Sequence, residues 1–212
     1  EVVQLPKVEA SLVSMDPQTG AITALVGGFD FNRNKYNHVT QAKRQPGSTF
    51  KPFIYSAALE KGITPATIVN DAPLHFSAAE TGSGMDWDPQ NYDNDFDGHI
   101  RLRNGLAKSK NLVAIRVLKA IGAPYAQDYA SRFGFDPANH PAYLSMGLGV
   151  GSATLIEMVT AYGVFANGGY LKKPYLIEKM VDSQGQVIDQ TNTMFQNEET
   201  PRVIDPRNAF IM

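Results

Sequence analysis

The segment that most restricts the fold is TFKPFIYSAALEKG, residues 49–62, where Phe50, Phe53, Ile54, Ala57 and Ala58 recur at helical spacing and Gly62 ends the run. Its proline fixes where that helix can start. Pro52 has no N–H, which is tolerated in the first turn because that N–H would have no intrahelical partner there. An amphipathic or buried helix must therefore begin close to Ser48.

The other segments set the class. Residues 8–15 and 21–26 favour strand and are separated by Asp16-Pro17-Gln18-Thr19-Gly20, which predicts a β-hairpin. Residues 27–45 are polar and read as loop, as do residues 79–98, with their Gly, Asp, Asn and single Trp. Helical patterns cover 100–108, 112–121 and 124–133, with Ser109-Lys110-Asn111 between the first two. Residues 154–167 are the best-marked helix, opened by a Thr154/Glu157 capping box and stopped by Asn167-Gly168-Gly169. Residues 171–181 and 186–188 flank Ser183-Gln184-Gly185 and predict a second hairpin. Strands, several helices, then strands, without βαβ alternation, indicate a mixed α/β domain rather than a doubly wound nucleotide fold.

Composition excludes several functions. The net charge is -2 without a dense Lys/Arg block, which argues against a nucleic-acid partner. With no cysteine there is no disulfide, no thiolate metal site and no cysteine nucleophile. The histidines at 38, 75, 99 and 140 lack ligand spacing. Asp93-x-Asp95-x-Asp97-Gly98 imitates the first half of a calcium loop, but the twelfth position is Asn104, so a solvated acidic loop is expected. No metal and no cofactor are expected. Trp87 and Tyr92 either line a groove or anchor their loop. No apolar run is long enough to span a membrane, and EVVQLPKVEA lacks the form of a signal peptide. At the far end Asp205 is a candidate N-cap with Pro206 at the first helical position, and the helix stops in mid-run, so Met212 reads as an internal position of a longer protein.

Ser48 and Lys51 are three apart on the predicted helix, close enough for a lysine amine to reach the hydroxyl one turn back. The partial positive charge of a helix N-terminus and the flanking Phe50 and Phe53 would favour a neutral amine, and the same terminus would stabilise an oxyanion. Taken alone, Ser48 reads as a plain N-cap, and catalysis requires more than this pair. Ser109 could relay a proton and Asn111 could hold a peptide bond, although Ser109 also suits a cap for the helix that follows. An S-x-x-K element followed by Ser-x-Asn is part of the signature of penicillin-binding proteins and β-lactamases.

The runs TQAKRQPGSTFKPFIYSAALEKG (residues 40–62), WDPQNYDNDFDGHIRLRNGLAKSKN (87–111), AYGVFANGG (161–169) and LVSMDPQTGAITALVGG (12–28) extend the match to nearly the whole chain. The chain closely resembles the transpeptidase domain of class A penicillin-binding proteins. That resemblance implies an α/β serine-transpeptidase fold, a mixed antiparallel sheet with a helical cluster. It implies Ser48 as nucleophile on the D-Ala-D-Ala carbonyl of peptidoglycan stem peptides, Lys51 as general base, Ser109 as proton relay and Asn111 as binder of the substrate amide. β-Lactams would acylate Ser48 as substrate mimics. A membrane anchor and a glycosyltransferase domain would belong to a longer parent acting on the periplasmic side of a bacterial inner membrane. One departure stands out: Lys-Thr-Gly is absent, and Lys61-Gly62 and Thr19-Gly20 are partial and misplaced. Residues 1–212 are therefore expected to be the N-terminal portion of the domain, lacking the last sheet strands. The alternatives are a β-lactamase or β-lactam-sensing domain of the same fold, or a non-catalytic binding domain.

Overall fold

The computed structural model describes residue 4 and residues 6–81, 84–191 and 202–212. In chain order its elements are β1 (Leu12–Met15), β2 (Ile22–Val26), α1 (Lys51–Glu60), β3 (Ile68–Asp71), α2 (Ala78–Thr81), β4 (Gly98–Arg101), α3 (Leu102–Ala107), α4 (Asn111–Ile121), α5 (Ala123–Ser131), α6 (Leu155–Ala166), β5 (Lys179–Val181), β6 (Val187–Gln190) and α7 (Pro206–Ile211). Short 3-10 turns cover Gly47–Phe50, Pro137–Asn139 and Leu144–Leu148. The strands pair two by two, β1 with β2, β3 with β4 and β5 with β6, all antiparallel. Among the described residues no helix is long and apolar enough to cross a membrane.

Two compact units result, one from Glu1–Arg44 and Ala153–Ile204, the other from Gln45–Ser152 and Asp205–Met212. In the first, the Asp16 carboxylate accepts the Gln18 N–H at 2.8 Å and turns β1 into β2. The register runs from Leu12 opposite Val26 to Met15 opposite Ile22. The capping box of α6 is present: Glu157 N–H donates to Thr154 Oγ1 at 3.3 Å, and Thr154 N–H donates to Glu157 Oε2 at 2.7 Å. α6 packs on β1, where Gly163 lets the Met15 methyl approach. Both expected hairpins are therefore found; β1, β2 and β5 are shorter than the runs read for them, and β6 extends two residues past residue 188.

The second unit is built around α4, whose Leu112, Val113, Ala114, Ile115 and Leu118 are fully buried. α1 packs against α4, α5 and α7 and is itself almost wholly buried. Beneath its start lie Phe50, Phe53, Phe133, Phe135 and His140, with ring centroids between 4.8 and 5.4 Å apart. The β3–β4 ribbon was not marked by the sequence. Residues 98–101 form a strand and the helix starts at Leu102, because four residues of β3 some thirty positions earlier supply the pairing. Local periodicity does not report so distant a partner.

α7 is held by a buried polar network. The Asp205 carboxylate caps it by accepting the Arg207 N–H at 2.8 Å, as the sequence implied. Asn208 accepts from Ser56 Oγ at 2.9 Å and donates to the Ser56 carbonyl at 2.9 Å and to Tyr129 Oη at 3.1 Å. Asn208→Ala would strip partners from two buried hydroxyls and a carbonyl. It is expected to lower the unfolding free energy by about 1–3 kcal/mol in urea titration, with α7 losing amide protection before α1 and α4.

Candidate active site

Ser48 sits on the 3-10 turn that runs directly into α1, with Pro52 in the first helical turn. Its side chain is exposed, caps nothing and makes no hydrogen bond to a described residue, so the simple N-cap role is not realised. Two glycines shape the approach. Gly47 has φ 56° and Gly149 φ 69°, and the Gly47 N–H donates to the Gly149 carbonyl at 3.2 Å. A Cβ on Gly149 would collide with the Gly47 carbonyl, so the two backbones can meet only because that side chain is absent. Phe50, stacked on His140 at 4.8 Å, anchors the other end of the turn.

Lys51 is 1% exposed. Its Nζ donates to the Ser109 carbonyl at 2.6 Å, to Asn111 Oδ1 at 2.7 Å and to Ser109 Oγ at 3.1 Å. All three are acceptors, so they match the three donors of an ammonium. Burial opposes that charge and draws the amine down to a pKa of about 8. A neutral amine keeps only two donors and gains a lone pair. Of the three partners only Ser109 Oγ can turn round and donate, so the longest contact is the one able to reverse.

Ser109 adopts φ 53°, a conformation most side chains avoid. The cause is the end of α3. The Lys110 N–H donates to the Gly105 carbonyl and the Ser109 N–H to the Leu106 carbonyl, both at 2.9 Å, which is a Schellman turn with serine where glycine is usual. Ser109 therefore does not cap α4. That helix begins at Asn111, and its first N–H groups are satisfied from another segment: Asn91 Oδ1 accepts from Asn111 N at 2.8 Å and Leu112 N at 3.3 Å. Asn111 Nδ2 donates to the Gln90 carbonyl at 2.8 Å, which turns its oxygen toward Lys51.

A family model described as the penicillin binding protein transpeptidase domain matches residues 10–210. The chain belongs to this transpeptidase family. It is 51% identical to penicillin-binding protein 1A of Neisseria flavescens over 211 residues, 100% of this chain and 26% of that protein. Against the Neisseria gonorrhoeae protein of that name identity is 50% over the same span and the same shares. The crystal structure of penicillin-binding protein 1A from Haemophilus influenzae superposes with TM-score 0.91 at 37% identity, covering 98% of this chain and 34% of that one. The resemblance to a class A protein is thus borne out, and the chain spans about a quarter of the curated relatives' length.

Within this transpeptidase fold the four predicted residues divide unevenly. Lys51, Ser109 and Asn111 meet at one point, whereas the Ser48 hydroxyl is not hydrogen-bonded to Lys51. Trp87 stacks on buried Phe76 at 5.5 Å and so anchors its loop, while Tyr92 is fully exposed. His38 pairs with Glu9 and His75 with Asp88, and no described group of His, Asp or Glu could hold a metal ion. The sequence did not single out Asn91 or Gly149. The glycine spacing in Gly147-Leu148-Gly149-Val150-Gly151 was the available signal for the second, and nothing local marked the first. Since Ser109 is held in a glycine-like conformation, Ser109→Gly is expected to match or exceed the parent's stability, by up to about 1 kcal/mol in urea titration, despite losing the Lys51 contact.

Proposed function

We propose that this chain is the core of a serine D-Ala-D-Ala transpeptidase that cross-links peptidoglycan stem peptides through an acyl-enzyme on Ser48. The observation that carries this is a buried lysine, pKa about 8, whose amine meets Ser109 and Asn111 one turn from an exposed, unengaged serine. Ser48 Oγ attacks the carbonyl carbon of the penultimate D-alanine, and its proton passes to the neutral Lys51 amine. The C–N bond then breaks, and the proton travels from Lys51 through Ser109 Oγ to the leaving D-alanine amine. Asn111 orients the stem peptide through its side-chain amide. A second stem-peptide amine attacks the Ser48 ester, forms the cross-link and returns the proton to the serine. A β-lactam enters the same sequence: its ring amide opens on Ser48, and the amine stays tethered.

The substrate lies outside the cytoplasm, so we assign the reaction to the periplasmic face of a longer, membrane-anchored protein that also carries a glycosyltransferase domain. At pH 7 about a tenth of Lys51 is neutral, against about one part in three thousand for an ordinary lysine.

Two measurements on the full-length protein test this. A fluorescent penicillin should leave one covalent adduct, on Ser48 by peptide mass mapping, and Ser48→Ala should abolish it; labelling elsewhere or none sinks the assignment. The acylation rate should rise about tenfold per pH unit below pH 8 and level off above it, because the amine must lose its proton to act. A rate flat from pH 6 to 9 would exclude Lys51 as the base.

A further inference from the structure

The imitation calcium loop at Asp93-x-Asp95-x-Asp97 is not merely a solvated acidic loop, because it already encloses a cation. Lys110 Nζ lies 2.9 Å from Asp93 Oδ2, 3.3 Å from the Asp95 carbonyl, 3.6 Å from Asp71 Oδ2 and 3.8 Å from Asp97 Oδ1. The Lys110 side chain is 4% exposed and that of Asp71 0%. Lys108 reaches the rim, 2.8 Å from Asp97 Oδ2. The ammonium therefore stands where the first carboxylates of a calcium loop would converge on an ion.

Lys110 separates Ser109 from Asn111 in an extended backbone conformation, which directs its side chain away from theirs. On one side of this tripeptide is the Lys51 amine, and on the other the acidic loop. The loop's members in turn grip the tripeptide. Asn91, 3% exposed, donates to Asp71 Oδ1 and to the Asp95 carbonyl, both at 2.8 Å, while its oxygen receives the Asn111 and Leu112 N–H groups. Asp71 Oδ2 accepts the Asp97 N–H at 3.0 Å. The Gln90 carbonyl, next to Asn91, sets the Asn111 amide.

We propose that Lys110 is a tethered cation that closes the acidic loop, and that the closed loop, through Asn91 and Gln90, holds Ser109 and Asn111 at the Lys51 amine. Lys110 and Asp71 are then positioning residues for acylation. The Lys51–Ser109–Asn111 geometry depends on a charge pair on the far side of the chain from the chemistry. This inference rests on the proposed acyl-enzyme function.

The test compares the full-length protein with Lys110→Met, Asp71→Asn and the double variant. Removing one partner of a buried charge pair should do more harm than removing both. Each single variant should lower the rate constant of penicillin acylation at saturation at least tenfold, with the adduct still on Ser48. The double variant should recover several-fold over Lys110→Met, which a general loss of structure would not produce. Amide exchange at Asn111 and Leu112 should quicken in Lys110→Met ahead of the middle of α4. Acylation by Lys110→Met at the parent's rate, or unchanged protection at those two amides, overturns the proposal. Should Lys110→Met not fold, Asp93→Asn weakens the same grip at a half-exposed position and should slow acylation several-fold; an unchanged rate overturns it equally. If the unsubstituted protein forms no Ser48 adduct, the acyl-enzyme function fails, and exchange at Asn111 and Leu112 still decides the role of Lys110.

Discussion

An amine buried at the start of a helix has to be answered by acceptors, and Lys51 finds them on a different element. Its three partners belong to Ser109 and Asn111, at the junction of α3 and α4. The packing of α1 on the apolar α4 and the Schellman turn that ends α3 bring those acceptors to the amine, which therefore does not rest on the hydroxyl one turn back. Desolvation lowers its proton affinity while the acceptors keep it in place. Both are needed, because an exposed lysine would stay charged and an unheld one would turn outward to water.

Around this contact the backbone departs from its usual choices at a few points. Ser109 occupies a left-handed position that glycine would fill at less cost, and Gly47 and Gly149 approach each other where a Cβ would not fit. Non-glycine residues in that region survive only when their surroundings over-determine them. Here the surroundings are explicit: Asn91 on the α4 amides, Gln90 on Asn111, and the charge group of Lys110, Asp71, Asp93 and Asp97 beneath. The strain lies next to the amine and the support lies away from it.

Local chemistry made much of this legible from residues alone. Thr154 with Glu157, Asp205 with Pro206, and Asp16 to Gly20 each specify a cap or turn within a few positions, and each appears as read. Ser48, Lys51, Ser109 and Asn111 were identifiable as a set because their spacing and surroundings form a pattern. What the residues did not convey was long-range. The β3–β4 pairing, Asn91 capping α4 across 20 positions, and Lys110 entering the acidic loop all depend on partners that no local period reports.

The sequence by itself determined most of the helices, the two hairpins and which four polar residues are candidates for chemistry, since propensity, caps and motif spacing act within a few residues of one another. Only the tertiary structure decided how those candidates meet. It set Lys51 on Ser109 and Asn111 and left the Ser48 hydroxyl unengaged, and it filled the apparent calcium loop with a lysine. The physical reason is the same throughout: a buried charge is stabilised by whichever opposite charges and dipoles the folded chain brings within about 3 to 4 Å, and that neighbourhood is fixed by the way distant elements pack.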